Sequence, residues 1–318
     1  MTEIGNDIQK AAYFLHNNVV GIPTETVYGL AGNALDASRV ADIFRVKKRP
    51  FFDPLIVHVH SQEALEPLIS DFPPVLKKLA DSFWPGPLTL LLPRSEKIPD
   101  LTCSGLAEAA FRIPNHPLTL QLLHATGFPL AAPSANPFGY VSPTTAQHVN
   151  DQLGQDIPYV LDGGPSSVGL ESTIVGLENG RPTIFRLGGL SVDEIKGVIG
   201  EVDVRINQSS DPRAPGMLKS HYSPLKPLLL CDIRSSLDQF RKQSPILILF
   251  DQLVEDYPIE KQILLSPNRS ITEAATNLFA VLRQADKIAG EIILAEPVPP
   301  NGLGIAINDR LKRASVQL

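Results

Sequence analysis

Short apolar runs alternate with amphipathic stretches along almost the whole chain, and this alternation constrains the fold more than any other feature. "VVGIPT", "PLIVHVH", "PLTLLLP", "FPLAAPSAN", "YVLDGG", "STIVGLENG" and "TIFRLG" read as strands. Between them, "DASRVADIFRVKK", "EALEPLI", "PVLKKLADSFW", "HPLTLQLLHATG" and "TTAQHVNDQLG" carry apolar residues at helical spacing. Ile4, Ile8, Ala11, Ala12 and Leu15 predict an amphipathic helix at the start. Strands and helices alternate without a strict repeat, which predicts an α/β fold built on a mixed, twisted sheet.

The pattern lapses between about Asn207 and Pro227, where "NQSSDPRAPGMLKSHYSPLKP" is rich in Pro, Ser and charge. It then restarts with "LLLCDI", "SSLDQFRKQ", "PILILF" and "QILLS". Ser270 and Glu273 stand in capping-box spacing ahead of a long helix. The reading is a larger unit over 1–206, a linker over 207–227 and a small Rossmann-like parallel α/β domain over 228–318. That small domain has "CDIRSS" after its first strand and no GxGxxG, so its shape does not imply a dinucleotide.

A length of 318 residues suits two domains. The formal net charge of -6 argues against tight, sequence-independent nucleic-acid binding, which draws its energy from cations on phosphates. Cys103 and Cys231 are far apart and fit neither a zinc site nor a disulfide framework. The N-terminus has acids and no long apolar core, so no signal peptide is expected. No run is long enough for a membrane span. A cytoplasmic protein is therefore expected.

The familiar catalytic motifs are missing. Gly164 to Gly169 is followed by Leu170, so there is no P-loop, and neither HExxH nor GxSxG occurs. A nucleotide would have to be held by scattered side chains. In "VKKRPFFDPLIVHV", Lys47 and Arg49 would point the same way on an extended segment, forming a clamp for phosphate oxygens. The alternative is a helix C-terminus, where Lys and Arg favour the dipole. Ser134 and Asn136 in "PSAN" lie on a loop after an apolar strand, a usual ligand position, although turn chemistry favours these residues too. In "PTETVYGL", Thr24 and Thr26 would share one side of an extended segment, with Glu25 on the other. Arg112 stands in an apolar setting and needs a carboxylate, from the protein or from a ligand. Ser172 begins one strand and Arg186 ends another. Tyr222 is either an ordinary loop residue or part of a lid. Trp84 reads as turn support.

Taken in order, "PTETVYGL", "KKRPFFDPLIVHV", "FWPGPLTLLL", "FRIPNHP", "AAPSAN", "DGGPSSVGLESTIV", "IFRLGG", "APGMLKSHYSP" and "GLGIAINDRLKRAS" resemble the YrdC-like family over nearly the full length. The resemblance is to its long form, which carries an extra C-terminal domain. It implies a YrdC-like catalytic domain whose mixed sheet and helices surround a central cavity. It also implies a reaction: L-threonine, bicarbonate and ATP, with Mg²⁺, give threonylcarbamoyl-AMP and diphosphate, a nucleotidyl transfer. The product would pass to the tRNA threonylcarbamoyl transferase machinery, without tight direct tRNA binding. By motif position, Thr26, His58, Arg112, Ala132 and Ser172 would contact threonine. Arg49, Asp53, Ser134, Asn136, Ser142, Arg186 and Tyr222 would contact ATP, and Lys47 and Arg49 would be catalytic. Two positions depart from the family pattern: Asp53 where Asn is usual, and Glu108 where Thr is frequent. The residues leave open two other readings, a non-enzymatic RNA-binding module using the same cavity and a carbamoyl-transfer domain acting on another small molecule.

Overall fold

The computed structural model describes residues 2–205 and 222–316. Most of the linker expected over 207–227 therefore lies outside the described residues. Eleven strands form one mixed sheet. Their spatial order is Glu3–Gly5, Tyr159–Leu161, Val20–Ile22, Gly29–Asn33, Leu130–Ala131, Ile56–His58, Glu108–Arg112, Leu88–Pro93, Thr173–Glu178, Arg181–Arg186 and Asp203–Val204. Ile56–His58 runs parallel to Glu108–Arg112, whose other neighbour, Leu88–Pro93, is antiparallel. Four strands, Leu228–Leu230, Ile293–Ala295, Ile246–Leu249 and Gln262–Leu264, form a separate, wholly parallel sheet. The α/β class and the small parallel C-terminal sheet are thus as expected.

Local chemistry explains most element boundaries. The first helix spans Ile8–Leu15, because the Asp7 side chain caps it by accepting from the Lys10 amide at 3.0 Å. Ile4, expected inside this helix, instead pairs with Val160 in a strand. Gly127 ends the helix Pro117–Thr126 at φ 70, in the left-handed conformation that suits glycine. Ser270 caps Ile271–Lys287, but the Glu273 carboxylate takes Ser266 and Asn268 as donors, so only half of the expected capping box forms. The full box occurs at Ser191 and Glu194, on the helix Val192–Ile199, which the periodicity reading left unassigned.

Buried apolar side chains of both sheets form one contiguous cluster, from Leu30 and Phe111 through Ile184 to Leu278 and Ile307. This packing, with hydrogen bonds from Thr276, Arg283 and Arg310, seats the C-terminal helices against the loops around 141–142, 167–171 and 187 of the larger unit. Among the described residues no helix is long and apolar enough to cross a membrane.

Candidate functional site

Sheet register builds the centre of the site. His58 and Arg112 are partners across the parallel pair Ile56–His58 and Glu108–Arg112, so their side chains leave the same face together. Val57 faces the core instead, as alternation requires. The ends of these strands open into a hollow of about 560 Å³ including its mouth. Thr26, Arg49, His58, Arg112 and Ala132 line it. So do Ser134, Ser172, Arg186 and Tyr222. Residues spread from 26 to 222 thus converge on one cavity.

Arg112 is almost fully buried, and its nitrogens meet three groups of the chain without using every N–H. Its Nε donates to the Gly86 carbonyl at 3.1 Å and one Nη to Thr26 Oγ1 at 2.8 Å. The other Nη pairs with the Glu25 carboxylate at 2.6 Å. The carboxylate anticipated for Arg112 is therefore supplied within the chain. The stretch 24–28 is not extended as expected. The Thr24 hydroxyl donates to the Val27 carbonyl at 2.6 Å, and its oxygen accepts from the amides of Thr26 and Val27. This side-chain turn carries both Glu25 and Thr26 to the same arginine. Gly86 lets the 83–86 turn close: a Cβ there would stand 2.3 Å from the Phe83 carbonyl. Trp84 supports the same turn, its indole N–H donating to the Leu88 carbonyl at 2.7 Å.

His58 is buried beside this cation. Burial, then the Arg112 charge, push its imidazole down to about 3, so the ring is neutral at physiological pH. Ser172 lies at the start of Thr173–Glu178. Its hydroxyl is 2.7 Å from Thr89 Oγ1 and accepts from Arg186 at 3.0 Å, and Arg186 Nε also donates to the Ser172 carbonyl at 3.0 Å. Burial lowers Arg186 to about 10, which leaves it cationic.

Lys47 departs from the expected geometry. It is the last residue of the helix Ala37–Lys47, and Lys48 reverses the chain at φ 53. Lys47 and Arg49 therefore do not share a face of an extended segment. Lys47 is 1 % exposed and does not line the hollow; its ammonium donates to the carbonyls of Ser134 and Asn136. Burial, and then the Arg49 charge, push this amine well below its ordinary value. The helix-terminus alternative gave the right position, but the side chain is a buried strut rather than a solvated end.

Asp53, Asn136 and Ser142 also stand behind the wall rather than on it. Arg49 forms an ion pair with the Asp53 carboxylate at 2.9 Å and donates to the Asp53 carbonyl at 3.0 Å and to the Pro54 carbonyl at 2.9 Å. The carboxylate that departs from the family pattern is thus matched by a cation. The Asn136 amide closes its own turn by donating to the Pro137 and Tyr140 carbonyls, each at 2.8 Å. Ser142 Oγ donates to Glu171 at 2.6 Å. Glu108 begins its strand at the Pro93 end, away from the hollow.

Two participants were missed in the sequence. Glu171 lines the hollow, and its second oxygen accepts from Arg310 at 3.0 Å. Arg310 comes from the last helix, Gly304–Ala314, and is wholly buried. Its guanidinium lies 4.9 Å from the Tyr222 ring centroid, and that ring stacks on Phe279 at 5.6 Å. Tyr222 holds φ 68, an unfavourable conformation for a bulky residue that this packing fixes.

The carboxylates nearest the hollow, Glu25, Asp53 and Glu171, each face an arginine. Among the described residues no group of three or more His, Cys, Asp or Glu side chains could hold a metal ion. These donors do not fit a resident Mg²⁺ site.

A twisted mixed sheet whose strand ends gather arginines, hydroxyls and a neutral imidazole in one hollow, backed by a small parallel domain, defines a recognisable class. The chain belongs to the Sua5/YciO/YrdC family: that family's profile, described as telomere recombination, matches residues 13–188. A second profile, described as the threonylcarbamoyl-AMP synthase C-terminal domain, matches residues 190–316. Within the family, the chain is 39% identical over 316 residues to the threonylcarbamoyl-AMP synthase of Pyrococcus abyssi, covering 96% of this chain and 92% of that protein. The synthase of Bacillus subtilis is 36% identical over 318 residues, with the same coverage of 96% and 92%. The crystal structure of P. abyssi Sua5 complexed with L-threonine superposes with a TM-score of 0.93 at 37% identity, covering 99% of this chain and 98% of that one. Full-length HypF, in its phosphate- and nucleotide-bound form, shares the fold over 57% of this chain and 29% of that one, at a TM-score of 0.51 and 23% identity.

Proposed function

We propose that the protein is an L-threonylcarbamoyladenylate synthase, a nucleotidyltransferase that serves the threonylcarbamoyladenosine modification of tRNA in the cytoplasm. The observation that carries this reading is the convergence of Arg49, Arg112, Arg186, His58, Ser134 and Ser172 on a single hollow. Full-length similarity to the threonylcarbamoyl-AMP synthases supports it.

Threonine would sit at the His58–Arg112 end, within reach of Thr26, Ala132 and Ser172. The Arg112 fork suits the amino-acid carboxylate, and the neutral His58 ring adds no competing charge. ATP would lie toward Arg49, Ser134 and Arg186, entering as its Mg²⁺ complex and so bringing the ion as part of the substrate. Lys47, Asp53, Asn136 and Ser142 would act from behind, holding those residues in place, and Tyr222 would close the far wall.

Bicarbonate takes up a proton and loses water to give CO2; the threonine amine then attacks the CO2 carbon and releases a proton, giving a carbamate. A carbamate oxygen then bonds to the α-phosphorus of ATP as the bond to the bridging oxygen breaks and diphosphate departs. No protein nucleophile is needed. Positioned cations and hydroxyls stabilise the charge that grows on the phosphoryl oxygens. Incubation with threonine, bicarbonate, ATP and Mg²⁺ followed by mass spectrometry tests the reading. Threonylcarbamoyl-AMP is expected, and its absence from folded protein that binds ATP would overturn it.

A further inference from the structure

The residue that joins the last helix to the candidate site is Arg310. It is wholly buried, and its contacts with Glu171 and Tyr222 reach the lining of the hollow. Its Nε holds the Glu171 carboxylate at 3.0 Å, and one Nη donates to the Leu187 carbonyl at 2.6 Å, next to Arg186 in sequence. Its other Nη pairs with Asp309 at 2.7 Å, and its plane lies 4.9 Å from the centre of the Tyr222 ring. Glu171 in turn accepts from Ser142 Oγ at 2.6 Å and precedes Ser172, the hydroxyl that Arg186 grips.

Glu171 is an awkward residue in such a place. Among the described residues that line the hollow it is the one carboxylate, and the other charged residues there are arginines. Unpaired, it would repel a polyphosphate across a medium of low dielectric, where charges interact strongly. It would also draw Arg186 away from an incoming ligand. Arg310 prevents both effects. A second arginine of the C-terminal part, Arg283, donates to the Ser142 carbonyl at 3.3 Å, so Ser142 is held on both of its sides.

We propose that Arg310 is a positioning residue for nucleotide binding: by fixing and neutralising Glu171, the last helix completes the nucleotide side of a hollow whose walls otherwise come mainly from the large sheet. This deepens the synthase reading and rests on it. It gives the C-terminal domain a physical task, supplying the counter-charge that makes the wall acceptable to a polyanion.

Binding of a non-hydrolysable ATP analogue and of threonine, each measured by calorimetry on the full chain, tests the proposal. If the wild type binds neither, the synthase reading fails and not merely this extension of it. With wild-type binding established, Arg310→Met should weaken the analogue at least about tenfold while threonine changes less than about threefold. Adding Glu171→Gln to that variant removes the unpaired carboxylate and should recover most of the loss, a rescue that a merely structural role would not give. Analogue affinity unchanged in Arg310→Met, or a loss that Glu171→Gln leaves in place, overturns the proposal. If Arg310→Met does not fold, Glu171→Asp decides. It keeps the charge but shortens its reach, so the analogue should weaken about fivefold or more, with threonine little changed. Wild-type affinity for the analogue in that variant equally overturns it.

Discussion

The guanidinium of Arg49 and the carboxylate of Asp53 form an ion pair at 2.9 Å, with side-chain exposures of 4% and 0%. One partner lines the hollow and the other lies behind it. Asp53 therefore serves the site by holding a cation in place. Removing only the acid, with Asp53→Ala, should leave a buried charge unmatched and cost about 3 kcal/mol of stability. Asp53→Asn keeps a hydrogen-bond acceptor and should cost less than half as much. Urea denaturation of the two variants checks the order. Equal losses would show that the charge is not what matters.

His58 makes a pH prediction. Its folded value is lowered to about 3, against an ordinary value of 6.5. Between those values the unfolded chain binds more protons than the folded one, so stability rises with pH through this window and falls on acidification. His58→Gln should remove up to about 1 kcal/mol per pH unit of that slope between pH 6 and 4. Denaturation midpoints measured against pH compare the slopes, and identical slopes would mean that His58 is not buried in neutral form. His148, lowered to about 4, acts in the same direction and is common to both proteins.

Among the described residues, Lys47 reaches the site through the carbonyls of Ser134 and Asn136. Lys47→Ala should therefore let the 133–136 turn drift and reduce turnover about 100-fold or more, the scale expected when a positioned electrostatic group is lost. Melting should fall by only a few degrees, as for a change of about 1 kcal/mol. Product formation followed by mass spectrometry gives the first quantity and calorimetry the second. Near-normal turnover would show that the turn holds without its strut.

Arg112 is expected to act on threonine alone. Arg112→Ala should raise the KM for threonine about 100-fold, and Arg112→Lys, which keeps the charge but not the fork, about tenfold. The KM for ATP should barely move in either variant. Steady-state kinetics with each substrate varied in turn separates the two. A rise confined to ATP would reverse the proposed orientation of the substrates.

Much of the strand and helix order was legible in the sequence because apolar periodicity sets it, but the strands Glu3–Gly5, Gly29–Asn33, Glu108–Arg112 and Asp203–Val204 and the helix Val192–Ile199 were not read. Thr26, Arg49, His58, Arg112, Ser134, Ser172 and Arg186 were legible as candidates through their motifs, and all line one hollow. Two kinds of feature were not. Lys47 was misplaced because the direction of its side chain depends on the left-handed turn at Lys48, a conformation that lysine seldom adopts and spacing does not announce. Glu171 and Arg310 were missed because they meet across 139 positions of chain, and no local pattern marks a partner so far away. Asp53 stood out as a departure from the family pattern and an expected ATP contact; its pairing with Arg49 puts it behind the wall of the hollow instead.

The side-by-side placement of His58 and Arg112 depends on a pairing that advances in steps of two. Inserting or deleting one codon within either strand would turn one of these side chains through the sheet, away from its neighbour, while leaving composition and helix count intact. Evolution can therefore vary connections remote from the hollow, but it must pass on the short stretches 56–58 and 108–112 without inserting or deleting a residue.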